Sequence, residues 1–281
     1  MTQVDPIIEL HPWLALPAGR ALLDWEQARM DELVSDVFGF HALQLGMPEL
    51  QALRANRMQH HWLALDTAYQ GLQPARDVAH AEVQGAPFVS QPTLWCDFEQ
   101  LPFPNQCLDL VVMPHALELA RDPHHTLREV ARVLVPDGRV VIAGFNPASL
   151  WGLWQRASQW GVSRAAVLPQ GEFMAYWRLR DWLRLLDLEV ENGSFGMYRP
   201  MLRNERLWQR LGWMEPAGER WWPVLGASYL VVAVKRARGM RLVGRVKKAV
   251  RAPAAAPAVV ANRHTSAPRL SWPDDATGSG R

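Results

Sequence analysis

Two apolar runs with a helical pattern between them constrain the fold of this chain more than any other feature. The runs, LDLVVM from Leu108 and RVVIAGF ending at Phe145, are rich in valine and leucine, as in strands buried on both faces. Between them, Asp122 can cap a helix that starts at Pro123, and apolar residues recur at helical spacing up to Leu134. Strand, helix and strand within about 35 residues is the spacing of a right-handed parallel crossover. We therefore expect an α/β fold built on a mostly parallel sheet.

The remaining elements follow from periodicity and from glycine and proline positions. Apolar residues at three- and four-residue spacing predict a helix from Pro17 to Phe38 that Gly39 ends. A short helical turn is expected from Pro48. Strands are expected at 40–45, 61–65, 93–98, 189–200 and 226–236, and a further helix at 173–188.

The chain divides into three parts by composition. We expect an N-terminal helical segment at 1–38, a domain at 39–236 with a tryptophan-rich insertion at 151–222, and a basic tail at 237–281. The net charge is +2, but the tail carries +7 and the preceding residues −5. The tail has few large apolar residues to offset the entropy of ordering, so we expect it to be largely disordered. It could solubilise the protein or contact an anionic membrane surface or RNA.

The cysteines and histidines give no support to a metal site. Cys96 and Cys107 form no CxxC pair, and the histidine pairs have no ligand spacing, so we expect no metal and a reducing compartment. The start of the chain resembles no signal peptide, and no apolar run is long enough to span a membrane. These features predict a cytoplasmic protein, and they indicate no oligomeric state.

The segment from Trp95 to Ile142 resembles the class I S-adenosylmethionine-dependent methyltransferases, in the branch that includes the quinone-biosynthesis enzymes. The resemblance rests on Asp97 followed by LPFP, on Asp109 at the start of the fourth strand, and on LREVARVL with Pro136. It implies a Rossmann-like sheet of seven strands with flanking helices, S-adenosylmethionine as cofactor, and a ligand crevice at the carboxyl ends of the strands.

The resemblance also implies roles for individual residues. Asp97, with the backbone amide of Phe98 beside it, would accept a hydrogen bond from the adenine amine. The alternative is that Asp97 only caps its turn. Asp66, 20 residues after Gly46, could hold the ribose hydroxyls, although a turn-capping role fits it equally well. No metal ligand is implied.

The loop at Gly46 departs from the family pattern, and the role of His115 is open. The family's glycine-rich loop is LQLGMPEL here, so that only Gly46, followed by Met47, can approach the cofactor closely. Pro114 and His115 follow the fourth strand, where related proteins place residues over the cofactor and substrate. His115 could act as a general base, could orient the substrate, or could simply be a hydrogen-bonded histidine at a strand end.

The sequence thus predicts an S-adenosylmethionine-dependent methyltransferase. Nine of the 14 tryptophans lie within 151–222, which favours a hydrophobic or aromatic small molecule as substrate. One alternative is a methyltransferase-like binding or scaffold protein that has lost catalysis. Another is a fold that only carries a basic tail to a membrane or to RNA.

Overall fold

A single sheet of seven strands organises the protein. The structure is a computed structural model that describes residues 13–67, 93–159, 173–202 and 204–236. The strands are β1 (His41–Leu45), β2 (His60–Asp66), β3 (Leu94–Cys96), β4 (Leu108–Pro114), β5 (Leu134–Phe145), β6 (Leu188–Gly196) and β7 (Ser228–Lys235). Their order across the sheet is β3-β2-β1-β4-β5-β7-β6. This confirms the predicted mostly parallel, Rossmann-like sheet.

The strand directions bring one set of chain segments to a common edge. β1 to β5 run parallel, whereas β7 is antiparallel to both β5 and β6. The start of β7 therefore lies beside the end of β5, where Phe145 pairs with Ser228. The carboxyl ends of β1 to β5 and the start of β7 consequently form one rim, which is where α/β proteins bind ligands.

Helices cover both faces of the sheet. They are α1 (Pro17–Ser35), α2 (Ala116–Leu119), α3 (Pro123–Val133), α4 (Leu150–Gln159), α5 (Tyr176–Leu185), α6 (Glu205–Arg210) and α7 (Met214–Trp221). Because successive strand residues point to opposite faces, Leu110 and Val112 pack with α1, whereas Val111 and Met113 pack with α3 and α5. Asp122 caps α3 as predicted, since its Oδ1 accepts a hydrogen bond from the amide of His125 at 3.0 Å.

The segment after Gly46 forms turns, the first of them closed by a hydrogen bond from the amide of Leu50 to the carbonyl of Met47, so the predicted turn at Pro48 is present but does not continue as a helix. Side chains take up several of its backbone groups. On α1, Gln27 both donates to the carbonyl of Gln51 and accepts from its amide, each at 3.0 Å. The side chain of Asn56 in turn donates to the carbonyls of Val34 and Val37 near the end of α1, which ends at Ser35 rather than Phe38. Gln27 thus pairs backbone groups that a continuing helix would have paired.

The sequence predicts that Pro136, Asp137 and Gly138 form a turn between α3 and the next strand. In the structure these three residues lie within β5 instead. α3 ends at Val133, and β5 begins at once with Leu134, which pairs with Leu108. The next pair joins Leu110 to Arg139, so the turn bulges out of the strand between these two pairs.

Several predictions fall outside the described residues. The sequence predicts loop and edge structure at 67–92, of which 68–92 lie outside the described residues, as does every residue of the tail at 237–281. Among the described residues, no helix is long and apolar enough to cross a membrane.

Candidate active site

The rim of the sheet brings together the residues that the sequence singled out. Gly46 follows β1, Asp66 ends β2, and Asp97 follows β3. Pro114 ends β4 and His115 follows it. Parallel pairing sets these strand ends side by side, so the structure places all five at the same edge.

The loop after β1 turns through two left-handed residues. Gly46 has φ +76° and Met47 has φ +46°. Gly46 suits such a turn because it has no Cβ to clash with its own backbone. A Cβ at Gly46 would lie 3.8 Å from the ring of Phe98 and 3.9 Å from the carbonyl oxygen of Pro114. The segments after β1, β3 and β4 therefore meet at Gly46.

Gln44 holds this loop in place, and sequence reasoning missed it. Its buried side-chain amide donates to the carbonyls of Gly46, Met47 and Leu50 at 3.2, 3.0 and 2.8 Å. Its Oε1 accepts from the amide of Ala52 at 3.0 Å. One side chain thus satisfies four backbone groups. The available signal was a lone amide within the otherwise apolar core of strand HALQL.

Asp66 and Asp97 lie on either side of Cys96. Asp66 pairs with Cys96 across β2 and β3, and Asp97 follows Cys96 in the chain. Burial, together with these two carboxylates, raises the pKa of the Cys96 thiol to about 11. Asp97 is exposed, and its Oδ1 accepts from the amide of Glu99 at 2.9 Å. The capping role considered for Asp97 therefore exists, but it uses only one of two acceptor oxygens.

His115 lies between two buried glutamates. It adopts a left-handed conformation with φ +52°, and its exposed fraction is 1%. Its Nε2 is 2.9 Å from Oε1 of Glu26, and its Nδ1 is 2.7 Å from Oε2 of Glu118. The same Oε1 of Glu26 accepts from the hydroxyl of Ser228 at 2.7 Å, and the other oxygen of Glu118 accepts from the amide of Phe145. We call these four side chains, Glu26, His115, Glu118 and Ser228, the buried cluster.

The two glutamates favour the protonated form of the His115 imidazole. Burial lowers the pKa of His115, but Glu26 and Glu118 outweigh burial and raise it to about 10. Burial raises the pKa of Glu118, and His115 opposes that shift. Both ring nitrogens face a carboxylate oxygen, and a ring protonated on both nitrogens supplies a donor to each.

Glu26 and Ser228 were not identified from the sequence. Glu26 lies on the same stripe of α1 as Leu22, Met30 and Val34, all of which are fully buried. An acidic residue at a core position of an amphipathic helix needs a partner, and that was the signal. The partner itself is 89 residues away, so local patterns could not identify it.

Aromatic side chains surround the buried cluster. The ring of Phe145 is 4.2 Å from that of His115, and it also lies 5.4 Å from Phe173. Trp13 contacts Phe145 and Trp151 edge-on, at 6.2 and 5.6 Å. Trp13, Phe145 and Trp151 are each at most 4% exposed, so these rings pack beside the buried cluster as part of the hydrophobic core.

Residues 45–142 match the sequence profile of a family described as methyltransferase domain. A malonyl-[acyl-carrier protein] O-methyltransferase of Halorhodospira halophila is 32% identical over 191 residues, which are 56% of this chain and 63% of that protein. These matches identify residues 45–142 as a methyltransferase domain. The uncharacterised protein YafS of Escherichia coli is 28% identical over 228 residues, 80% of each chain.

A solved structure supports the methyltransferase fold. It is the complex of the Haloferax volcanii methyltransferase activator Trm112 with a methyltransferase. The matched chain is 20% identical, with a TM-score of 0.51, and the match covers 82% of this chain and 97% of that one. Glu26 and Ser228 lie outside the residues that match the methyltransferase domain, so the buried cluster extends beyond them.

The residues at the rim fit an S-adenosylmethionine molecule in their donor and acceptor chemistry. Asp66 and Asp97 converge at the ends of β2 and β3, where two acceptors suit the ribose hydroxyls and the adenine amine. The glycine at position 46 leaves the backbone open to close approach. Within the described ranges, no three histidine, cysteine or acidic side chains are arranged to hold a metal ion.

Proposed function

We propose that this methyltransferase binds S-adenosylmethionine at the rim and transfers its methyl group to a hydrophobic or aromatic small molecule. The observation that carries the proposal is the convergence of Gly46, Asp66 and Asp97 at the ends of three adjacent parallel strands. Each has the chemistry that one part of the cofactor needs.

The chain's own residues would position the reactants. Asp66 accepts from the ribose hydroxyls, and Asp97 and the Phe98 amide hold the adenine. The backbone of Gly46 and Met47 approaches the methionine part, and Pro114 borders the reacting end. The cofactor supplies a methyl group on a cationic sulfur, which an acceptor can take directly once the two are close and aligned.

Of the roles considered for His115, we propose that of a hydrogen-bonded histidine at a strand end. A general base needs a nitrogen that is free to take a proton, whereas both nitrogens of His115 face carboxylates. A fixed imidazolium is suited to holding Glu26 and the loop after β4 in one arrangement. His115 would then be a positioning residue.

Exposed tryptophans support the substrate class. Within 151–222, more than half of the surface is exposed on Trp177, Trp213, Trp221 and Trp222, which offer apolar faces to a ligand. Burial against such faces stabilises an aromatic ligand and gives a strongly polar one little to bind.

Isothermal titration calorimetry of the full chain with S-adenosylmethionine and S-adenosylhomocysteine tests the proposal. We expect saturable binding of both at one site per chain. A folded protein that binds neither compound would overturn the proposal and would favour the non-catalytic scaffold instead.

A further inference from the structure

The loop before β7 displays a run of apolar side chains on the protein surface. Trp221, Trp222, Val224 and Leu225 flank Pro223, and each of the four is between 42% and 71% exposed. Pro223–Leu225 form a short 3₁₀ turn that follows α7. Contact of so much apolar surface with water is unfavourable, and a patch of this kind marks a place where a partner binds.

Polar contacts on the inner side of the loop hold it in this arrangement. The side-chain amide of Asn146 donates to the carbonyls of Val224 and Gly226, at 2.7 and 3.0 Å. The hydroxyl of Tyr198 donates to the carbonyl of Pro223 at 2.9 Å. Because the protein itself satisfies these backbone groups, the outward display of the tryptophans is built into the fold.

α4 presents a second apolar stripe beside the loop. Leu150, Leu153 and Trp154 recur at three- and four-residue spacing, and all three are exposed. The opposite side of α4 packs in the core, since Trp151 is only 1% exposed. Asn146 lies four residues before Leu150 and bonds to the loop, so the loop and the start of α4 are neighbours at the end of β5. We call the exposed side chains of both elements the apolar face: Leu150, Leu153, Trp154, Trp221, Trp222, Val224 and Leu225.

The segments that carry the apolar face are basic, whereas the rest of the domain is acidic. Residues 146–159 and 197–226 contain six arginines and three glutamates, although residues 1–236 as a whole have a net charge of −5. Glu215 is paired with Arg199 at 3.3 Å and Glu219 with Arg29 at 3.7 Å. Four exposed arginines of these segments have no ion pair with a described carboxylate: Arg156, Arg206, Arg210 and Arg220.

We propose that the apolar face docks on the surface of a bilayer that contains anionic lipids. Tryptophan suits the boundary between headgroups and hydrocarbon, because its ring is apolar and its N–H is polar. Arginines around such a face attract anionic headgroups. A small substrate would cover only part of a face that spans two elements, whereas a bilayer covers all of it. The inference goes beyond the proposed function and does not depend on it.

Flotation of the full chain with lipid vesicles tests the proposal. The vesicles consist of phosphatidylcholine alone or of phosphatidylcholine with about 30% phosphatidylglycerol. We expect the wild type to bind the mixed vesicles about tenfold or more strongly than the neutral ones. No binding to the mixed vesicles, or equal binding to both, would overturn the proposal. S-adenosylhomocysteine is left out, so the result is separate from that of the proposed function.

Two double variants separate the apolar face from general surface hydrophobicity and from the basic tail. Trp221→Gln with Trp222→Gln should lower binding to the mixed vesicles about tenfold or more. Trp177→Gln with Leu185→Gln is the control, because both side chains are more than half exposed but lie on α5, which packs on the other face of the sheet. It should change binding by less than about twofold. Equal losses in both, or unchanged binding in the first, would overturn the proposal, and thermal unfolding confirms that each variant is folded.

A second copy of the chain is the competing occupant of the apolar face. Sedimentation velocity without vesicles measures self-association of the wild type and of the first double variant. We expect the two to sediment alike. Self-association that disappears in Trp221→Gln with Trp222→Gln would assign the face to a second copy and would overturn the proposal.

Discussion

The side-chain amide of Gln44 donates to the carbonyl of Leu50 at 2.8 Å, across the turn that follows β1. The same amide also donates to the carbonyls of Gly46 and Met47. A loop with one glycine therefore keeps a fixed shape through a side chain of the preceding strand. This bond explains how the departure from the family's glycine-rich loop is compatible with an ordered rim.

Gln44→Leu should destabilise the protein by about 2–4 kcal/mol, because it leaves several buried backbone groups without partners. It should also weaken binding of S-adenosylhomocysteine, since the loop at Gly46 is no longer held. Urea unfolding and calorimetry measure the two effects. Gln209→Leu is the control, because the exposed side chain of Gln209 donates to Glu205 on the same helix, and it should change stability by less than about 0.5 kcal/mol. Equal effects of the two substitutions would contradict the role of Gln44.

Asp97→Asn separates the two roles of Asp97. Asparagine can still accept from the amide of Glu99, so the turn and the melting temperature should be preserved. The loss of the anionic acceptor should weaken S-adenosylhomocysteine binding about tenfold. Wild-type affinity in this variant would assign Asp97 to the turn alone. Asp97→Ala, which removes both acceptors, should also lower the melting temperature.

Gly144→Ala should destabilise the protein by about 1–3 kcal/mol through overpacking. The new Cβ would lie 2.6 Å from the hydroxyl oxygen of Tyr229 and 3.2 Å from Oε1 of Glu118. Tyr229 would have to give up its hydrogen bond to the carbonyl of Met174. Gly193→Ala, on β6, is the control, because its Cβ would come no closer than 3.4 Å to another atom. Chemical denaturation should show that only the first substitution is costly.

The charge on His115 should make stability depend on pH. The pKa of His115 is about 10 in the folded protein, against 6.5 as the ordinary value. The stabilisation is therefore complete below about pH 6.5 and is lost as the pH rises through about 10. We expect the unfolding free energy to fall by about 2–4 kcal/mol across this interval.

The measurement compares the wild type with His115→Gln, whose stability should change less between these pH values. Proton–nitrogen NMR of the ring gives a direct reading, since both nitrogens should stay protonated at pH 8 if the pKa is as high as stated. A neutral ring at that pH would contradict the ion pairs with Glu26 and Glu118.

The elements of the sheet could be predicted from the sequence because local patterns determine them. LDLVVM and RVVIAGF are apolar on both faces, and Asp122 with Pro123 marks the start of α3. The positions of Asp66 and Asp97 followed from the strands that precede them. These predictions needed only neighbouring residues and the rule that parallel strands end at one edge.

The buried cluster and the turns after Gly46 could not be predicted in that way. Pro48 and the residues after it suit a helical turn, but the side chains of Gln44 and Gln27 take up several of their backbone groups. Glu26 was recognisable as an acidic residue on an apolar stripe. Its partners, His115 and Ser228, come from distant parts of the chain and meet it only through the packing of α1 on the sheet. Tertiary contacts of this kind override local propensity.

The bond between Glu26 and Ser228 spans 202 residues, so it has a consequence for synthesis on the ribosome. α1 emerges early, but its carboxylate can meet the hydroxyl of Ser228 only after the last strand has been made. Contacts of such long range form late and slow the folding reaction. The buried cluster is therefore completed only once nearly all of the domain has left the exit tunnel.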